Sequence, residues 1–315
     1  MIRPIWPFVL AVILAGCGSP PIPAPASSLT PPVHILPSAL AALDAQHVIV
    51  VGSSTSDRTR GAIATTADGG RTWTSRALNM PPPNGVAARG TTVLVTADCP
   101  KATGPDCVWI STDSGGSFTD LPEVPRLVHP GLVDEKRGFV MTPLPYGTTL
   151  WVTDDAGATW AQTGDACVSG PTVAIDFPSP EVSWTACAGP GTTGQEGRAI
   201  WKSNWEGSSL QMMSSVGLGL DTGALPSSGT LLGISMTADG HGWLWTNDRL
   251  YTTSDAGRTW GPVKMADTSA SSSVAAADLV TPQTGFAILN DGASPVVART
   301  DDGGASWTEL TSFPI

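Results

Sequence analysis

The stretch Thr66-Ala67-Asp68-Gly69-Gly70-Arg71-Thr72-Trp73 decides the fold, because it recurs. The same pattern, Ser/Thr-x-Asp-x-Gly-x-Ser/Thr-aromatic, returns at Ser111–Phe118, Thr153–Trp160, Thr253–Trp260 and Thr300–Trp307. A degenerate copy, Ser203–Leu210, carries Trp205 where the acid should stand. The closing positions fall at 73, 118, 160, 210, 260 and 307, so the intervals are 45, 42, 50, 50 and 47 residues. The residue types explain the pattern. A short carboxylate accepts hydrogen bonds from nearby backbone N–H groups and locks a tight turn. Glycine supplies a backbone conformation that a side chain opposes. The final aromatic packs between neighbouring units. Asp68, Asp113, Asp155, Asp255 and Asp302 are therefore turn residues and poor catalytic candidates.

Two features repeat in step with the octapeptide. An aromatic stands two residues before it at Trp109, Trp151, Trp201 and Tyr251, and another opens an earlier strand at Phe139, Trp184, Trp243 and Phe286. Each octapeptide thus sits inside a hairpin. The chain is 41% hydrophobic and only 14% charged, with 35 Gly and 28 Pro among 315 residues. That composition suits many short strands joined by turns and argues against helical bundles.

The octapeptides resemble Asp-boxes, also called BNR repeats, from about Ala39 to the end of the chain. A repeating unit of about 45 residues with several strands has the size of a propeller blade. The expectation is an all-β propeller of four-stranded antiparallel sheets with Asp-box hairpins. Six blades are expected, or seven if one blade lacks its box. The chain ends should meet to close the ring, with Trp307–Phe313 as the last strand.

The N-terminus reads as an export signal. Arg3 precedes an apolar run from Phe8 to Ala15 that is too short to span a membrane. Leu14-Ala15-Gly16-Cys17 resembles the bacterial lipobox, which implies acylation of Cys17 after removal of residues 1–16. Residues 17–33 are rich in Pro, Ala and Ser and read as an extended, semi-rigid tether. Residues 34–315 are assigned to the propeller. The address implied is outside the cytoplasmic membrane, in the periplasm or at the cell surface, with membrane contact only through the lipid.

With Cys17 lipidated, four cysteines remain: Cys99, Cys107, Cys167 and Cys187. An exported domain sees oxidising conditions, so two disulfides are expected. Of the three connectivities, the sequence-local pairs Cys99–Cys107 and Cys167–Cys187 are favoured. No CxxC pair and no nearby histidine suggests a metal, and no cofactor is expected. The net charge of −11, without any basic run, disfavours nucleic acid.

Catalytic signals are sparse. His34, His47, His129 and His241 lack metal-ligand or acid–base spacing. No Gly-x-Ser-x-Gly elbow or phosphate-cradling loop occurs. Ten of the twelve tryptophans have a repeat role or lie in the signal, which leaves Trp205 and Trp245 as exposed binding candidates. The chain also resembles the photosystem II stability/assembly factor family, which shares Gly-Phe/Trp strands and Asp-boxes. That resemblance implies a noncatalytic scaffold that docks a protein, here an envelope protein, on a propeller face. The alternatives are a glycan-binding module and an exo-sialidase-like hydrolase. Sialidases carry an Arg-Ile-Pro-like motif, an arginine triad and a Tyr–Glu pair. Here Arg58 and Arg60 lack a following Ile-Pro, and the tyrosines are Tyr146 and Tyr251, the latter in a repeat position.

Overall fold

The computed structural model describes residues 32–98, 107–121, 129–144, 147–167, 170–189, 196–205, 209–219, 221–263, 273–290 and 294–315. The expected signal at 1–16, Cys17, the tether up to residue 31 and the Cys99–Cys107 bridge lie outside the described residues. Among the described residues, twenty-four strands form six four-stranded antiparallel sheets, each from four consecutive strands. The protein is a six-bladed β-propeller.

The inner strands are Ile35–Ala42, Pro83–Arg89, His129–Leu132, Thr172–Ser179, Leu231–Met236 and Ser273–Leu279. They lie around a central channel, and the sixth packs beside the first. Because side chains alternate across a strand, each sheet offers one face to the blade before it and one to the blade after it. Both faces are therefore apolar. Phe286 and Ile288 of blade 6 pack with Val48 and Val50 of blade 1, and Trp243 of blade 5 packs with Ala287 and Leu289 of blade 6.

The octapeptide joins the third strand of a blade to the fourth, and its five intact copies share one geometry. The first hydroxyl is buried and donates to the Asp Oδ1 at 2.7–2.9 Å. It also accepts from the backbone N–H of the fifth-position glycine at 2.8–3.1 Å. The Asp in turn accepts the backbone N–H and the hydroxyl of the seventh residue. Positions four and five are both left-handed, with φ of 58–75° and 72–101°. Ser114, Ala156 and Ala256 tolerate this at position four, but position five is always glycine. A Cβ there would strike the preceding blade: at Gly157 it would lie 2.7 Å from Leu121.

Closure uses the same contact. The last strand is only Thr308–Glu309, shorter than the sequence pattern implies, and the residues beyond it run across to blade 1. Leu310 occupies the place that a Cβ on Gly70 would need, and Phe313 meets Trp73 edge-on at 5.0 Å. The Ile35 N–H donates to the Pro314 carbonyl at 2.6 Å, and the Ser312 hydroxyl donates to the Gly70 carbonyl at 2.6 Å.

Cys167 and Cys187 form a disulfide with a Cα–Cα distance of 5.8 Å. It ties the segment entering the inner strand of blade 4 to that blade's second strand, Val182–Ala188. Blade 4 is the blade with the degenerate octapeptide. Its Ser203 hydroxyl is buried without a partner among the described residues, because Trp205 replaces the acid it would bond.

Two stability measurements check these attributions. Thr300→Val leaves the buried Gly304 N–H unpaired and should lower the unfolding free energy in urea by about 1–3 kcal/mol. Replacing Cys167 and Cys187 together by alanine should cost about 2–4 kcal/mol, for a closed loop of 20 residues.

Candidate functional site at the channel mouth

The two ends of the ring differ. The turns between first and second strands lie at the same end as the octapeptides, and backbone bonds join them. The position-four N–H donates to the neighbouring turn in five blades, from Gly69 to Gln46, Ser114 to Thr91, Ala156 to Lys136, Ala256 to Gly240 and Gly303 to Gln283. The inner strands run toward this end, so their last residues form its channel mouth.

One position near the end of each inner strand decides what the mouth contains. By strand register it is Ala41, Ala87, Gly131, Asp176, Ser235 and Asp278 in blades 1 to 6. In the last three blades the polar side chain captures a backbone N–H of the following blade. Asp176 accepts from Met236 at 2.6 Å, Ser235 from Leu279 at 2.9 Å, and Asp278 from Ala42 at 2.8 Å. Ser235 also donates to Asp278 at 3.1 Å. Blades 4, 5, 6 and 1 are thus stapled in series. Blades 1 to 3 carry Ala41, Ala87 and Gly131 at this position, and the Phe139 ring lies against Gly131.

Arg89 spans the other half of the ring. Its guanidinium donates to the Ala88 carbonyl at 3.0 Å and, across the channel, to the Phe177 carbonyl of blade 4 at 2.7 Å. Arg89, Asp176 and Asp278 are enclosed by protein yet keep a partial opening to the channel. Burial raises the Asp176 carboxyl to about 6, with the Asp278 charge adding to the rise and Arg89 opposing it. Burial raises Asp278 as well. Farther along the same channel, burial lowers His129. The channel encloses about 220 Å³, below the roughly 300 Å³ at which small-molecule pockets begin.

The predicted site residues fall in separate places. Asp68, Asp113, Asp155, Asp255 and Asp302 each hold their own turn. Trp205 is half-buried, 5.6 Å from the Phe177 ring, which in turn meets Phe139 at 5.8 Å. Trp245 is 8% exposed, in the channel wall over Gly233, with its indole N–H unpartnered. Among the described residues no three His, Cys, Asp or Glu side chains converge as a metal site would.

Asp176, Ser235, Asp278 and Arg89 were not singled out by the sequence. A signal for the first three exists. Each stands eight residues before the aromatic that opens the next strand, at Trp184, Trp243 and Phe286.

Comparison with solved structures finds the same architecture elsewhere. In fold, the chain resembles YCF48. The structure of YCF48 bound to D1 peptide superposes with a TM-score of 0.52 at 16% identity, covering 90% of this chain and 83% of that one. YCF48 from Cyanidioschyzon merolae gives 0.51 at 16% identity, covering 90% and 88%. The GH74 xyloglucanase from Xanthomonas campestris gives 0.52 at 15% identity, covering 87% of this chain and 47% of that chain, so this protein spans about half of the enzyme. These identities establish shared fold. No protein-family model and no curated protein matches the chain in sequence.

The raised Asp176 carboxyl has a consequence for stability. A folded-state value near 6 against an ordinary 3.8 means the folded ring holds this proton more tightly than the unfolded chain does. The contribution is full below the ordinary value and is lost as pH rises through about 6. The octapeptide acids Asp68, Asp113 and Asp302 act oppositely. Hydrogen bonds from the neighbouring hydroxyls and N–H groups hold them at about 2, so their contribution is lost only in strong acid. Tm should therefore fall as pH rises from about 4 to about 6. In Asp176→Asn, which keeps an oxygen for the Met236 N–H, that slope should flatten. An unchanged slope would assign it to another group.

Proposed function

We propose that this chain is a noncatalytic docking scaffold of the bacterial cell envelope. In this reading Cys17 carries a lipid, the segment to residue 33 is a tether, and the octapeptides are the Asp-boxes of a propeller over residues 34–315. The propeller holds a segment of another protein against its octapeptide-bearing face.

The channel mouth on that face carries this reading. It is a cup of about 340 Å³ walled by the turns that leave the inner strands. Its carboxylates are committed to backbone N–H groups of neighbouring blades, an arrangement that fastens the ring. A rigid frame with turns around a recessed cup suits recognition of an extended segment. YCF48, a propeller of the same fold, is seen with D1 peptide bound, in keeping with a protein ligand.

Cross-linking of intact cells carrying the tagged protein tests the reading, with an unrelated domain on the same tether as control. One reproducible envelope partner is expected, together with palmitate labelling that Cys17→Ala abolishes. Recovery of no protein beyond the control set would remove the docking role and favour glycan binding.

A further inference from the structure

We propose that the cup at this channel mouth receives one basic side chain, a lysine or an arginine, carried by an extended segment of the docked protein. The inference rests on the docking reading and adds the chemistry of the partner.

Charge at the floor is the first argument. Asp176 and Asp278 face the channel with one guanidinium between them, that of Arg89, which the Ala88 and Phe177 carbonyls hold to the wall. Two carboxylates against one guanidinium leave one negative charge uncompensated in a protein-walled space. There a cation is attracted far more strongly than at the open surface. Burial is the main cause of the rise of the Asp176 carboxyl to about 6, and the neighbouring Asp278 charge adds to it.

The collar is the second argument. Above the carboxylates the apolar side chains that wall the cup are those of Leu43, Pro178 and Val280. A long basic side chain has matching parts, an apolar stem and a charged tip. The cup's volume, about 340 Å³, admits a side chain, whereas a helix, about 10–12 Å across, is too wide.

Charge around the rim is the third. Asp44, Glu135, Asp154, Glu181, Asp239 and Asp301 are exposed on the turns of this face, besides the octapeptide acids. The basic residues at this end, among the described ones, include Arg71, Lys136, Arg137, Arg258 and Arg299; Arg137 is paired with Asp134 and Arg299 with Asp301, each at 2.7 Å. Such a rim draws in a basic segment and repels an acidic one.

The test uses the full-length protein and two labelled probes, octa-lysine and octa-glutamate, read by fluorescence anisotropy at low ionic strength and neutral pH. Octa-lysine should bind and octa-glutamate should not. Asp176→Asn and Asp278→Asn, which keep an oxygen for their backbone N–H partners, should each weaken octa-lysine about tenfold or more. Ala238→Trp, an exposed change on the mouth that leaves the staples intact, should do the same by covering the cup. Asp154→Asn, a rim change, should cost about twofold or less. Equal losses in all four variants, or no binding of octa-lysine, would overturn the proposal. The two readings separate in cells. A cross-linked partner retained by Ala238→Trp and Asp278→Asn leaves docking in place and removes the basic side chain from the cup, whereas its loss from both supports the cup.

Discussion

The buried hydroxyl at the head of each of the five intact octapeptides is the contact on which the ring depends. It donates to the Asp and accepts from the fifth-position glycine, so it fixes two successive left-handed residues. Those two residues turn the chain into the outer strand and press the glycine against the preceding blade. They also aim the fourth-position N–H at the turn leaving the inner strand. One turn thus ties the outer edge of a blade to its inner edge and to its neighbour. The C-terminal residues supply the same surface to Gly70 through Leu310, so closure reuses the contact between blades.

Fastening at the channel is uneven. Asp176, Ser235 and Asp278 staple the second half of the ring through buried hydrogen bonds to backbone, while small residues at the same positions leave the first half to apolar packing and to Arg89. A charged staple is costly to bury, and the raised Asp176 and Asp278 carboxyls record that cost. Blade 4 concentrates the exceptions. It lacks the octapeptide acid, and it has the disulfide, the Phe139–Phe177–Trp205 aromatic run and the far anchor of Arg89. A blade without its standard turn is held instead by covalent and aromatic contacts with its surroundings.

The acids of the octapeptide face serve structure before anything else. Asp68, Asp113 and Asp302 stay ionised to about 2 because hydroxyl and N–H donors surround them. That charge persists at neutral pH, on the same end of the ring as the channel mouth. A rim assembled for turn geometry therefore also sets the electrostatic character of the face on which the inner strands end.

The sequence by itself determined the blade. The octapeptide is local: its hydroxyl, acid, glycine and aromatic lie within eight residues and interact mainly with one another, so hairpin, repeat length and blade number were legible from spacing. The Cys167–Cys187 pair was legible for the same reason, since its partners are separated by one hairpin. Only the tertiary structure decided the channel. Asp176 meets Met236 sixty residues away, Asp278 meets Ala42 across the closure, and Arg89 reaches Phe177 past an intervening blade. It also decided that Trp245, which the repeat left without a role, is enclosed in the channel wall. Closing a ring brings together residues whose separation in sequence carries no local signal, and the chemistry of the mouth depends on that closure.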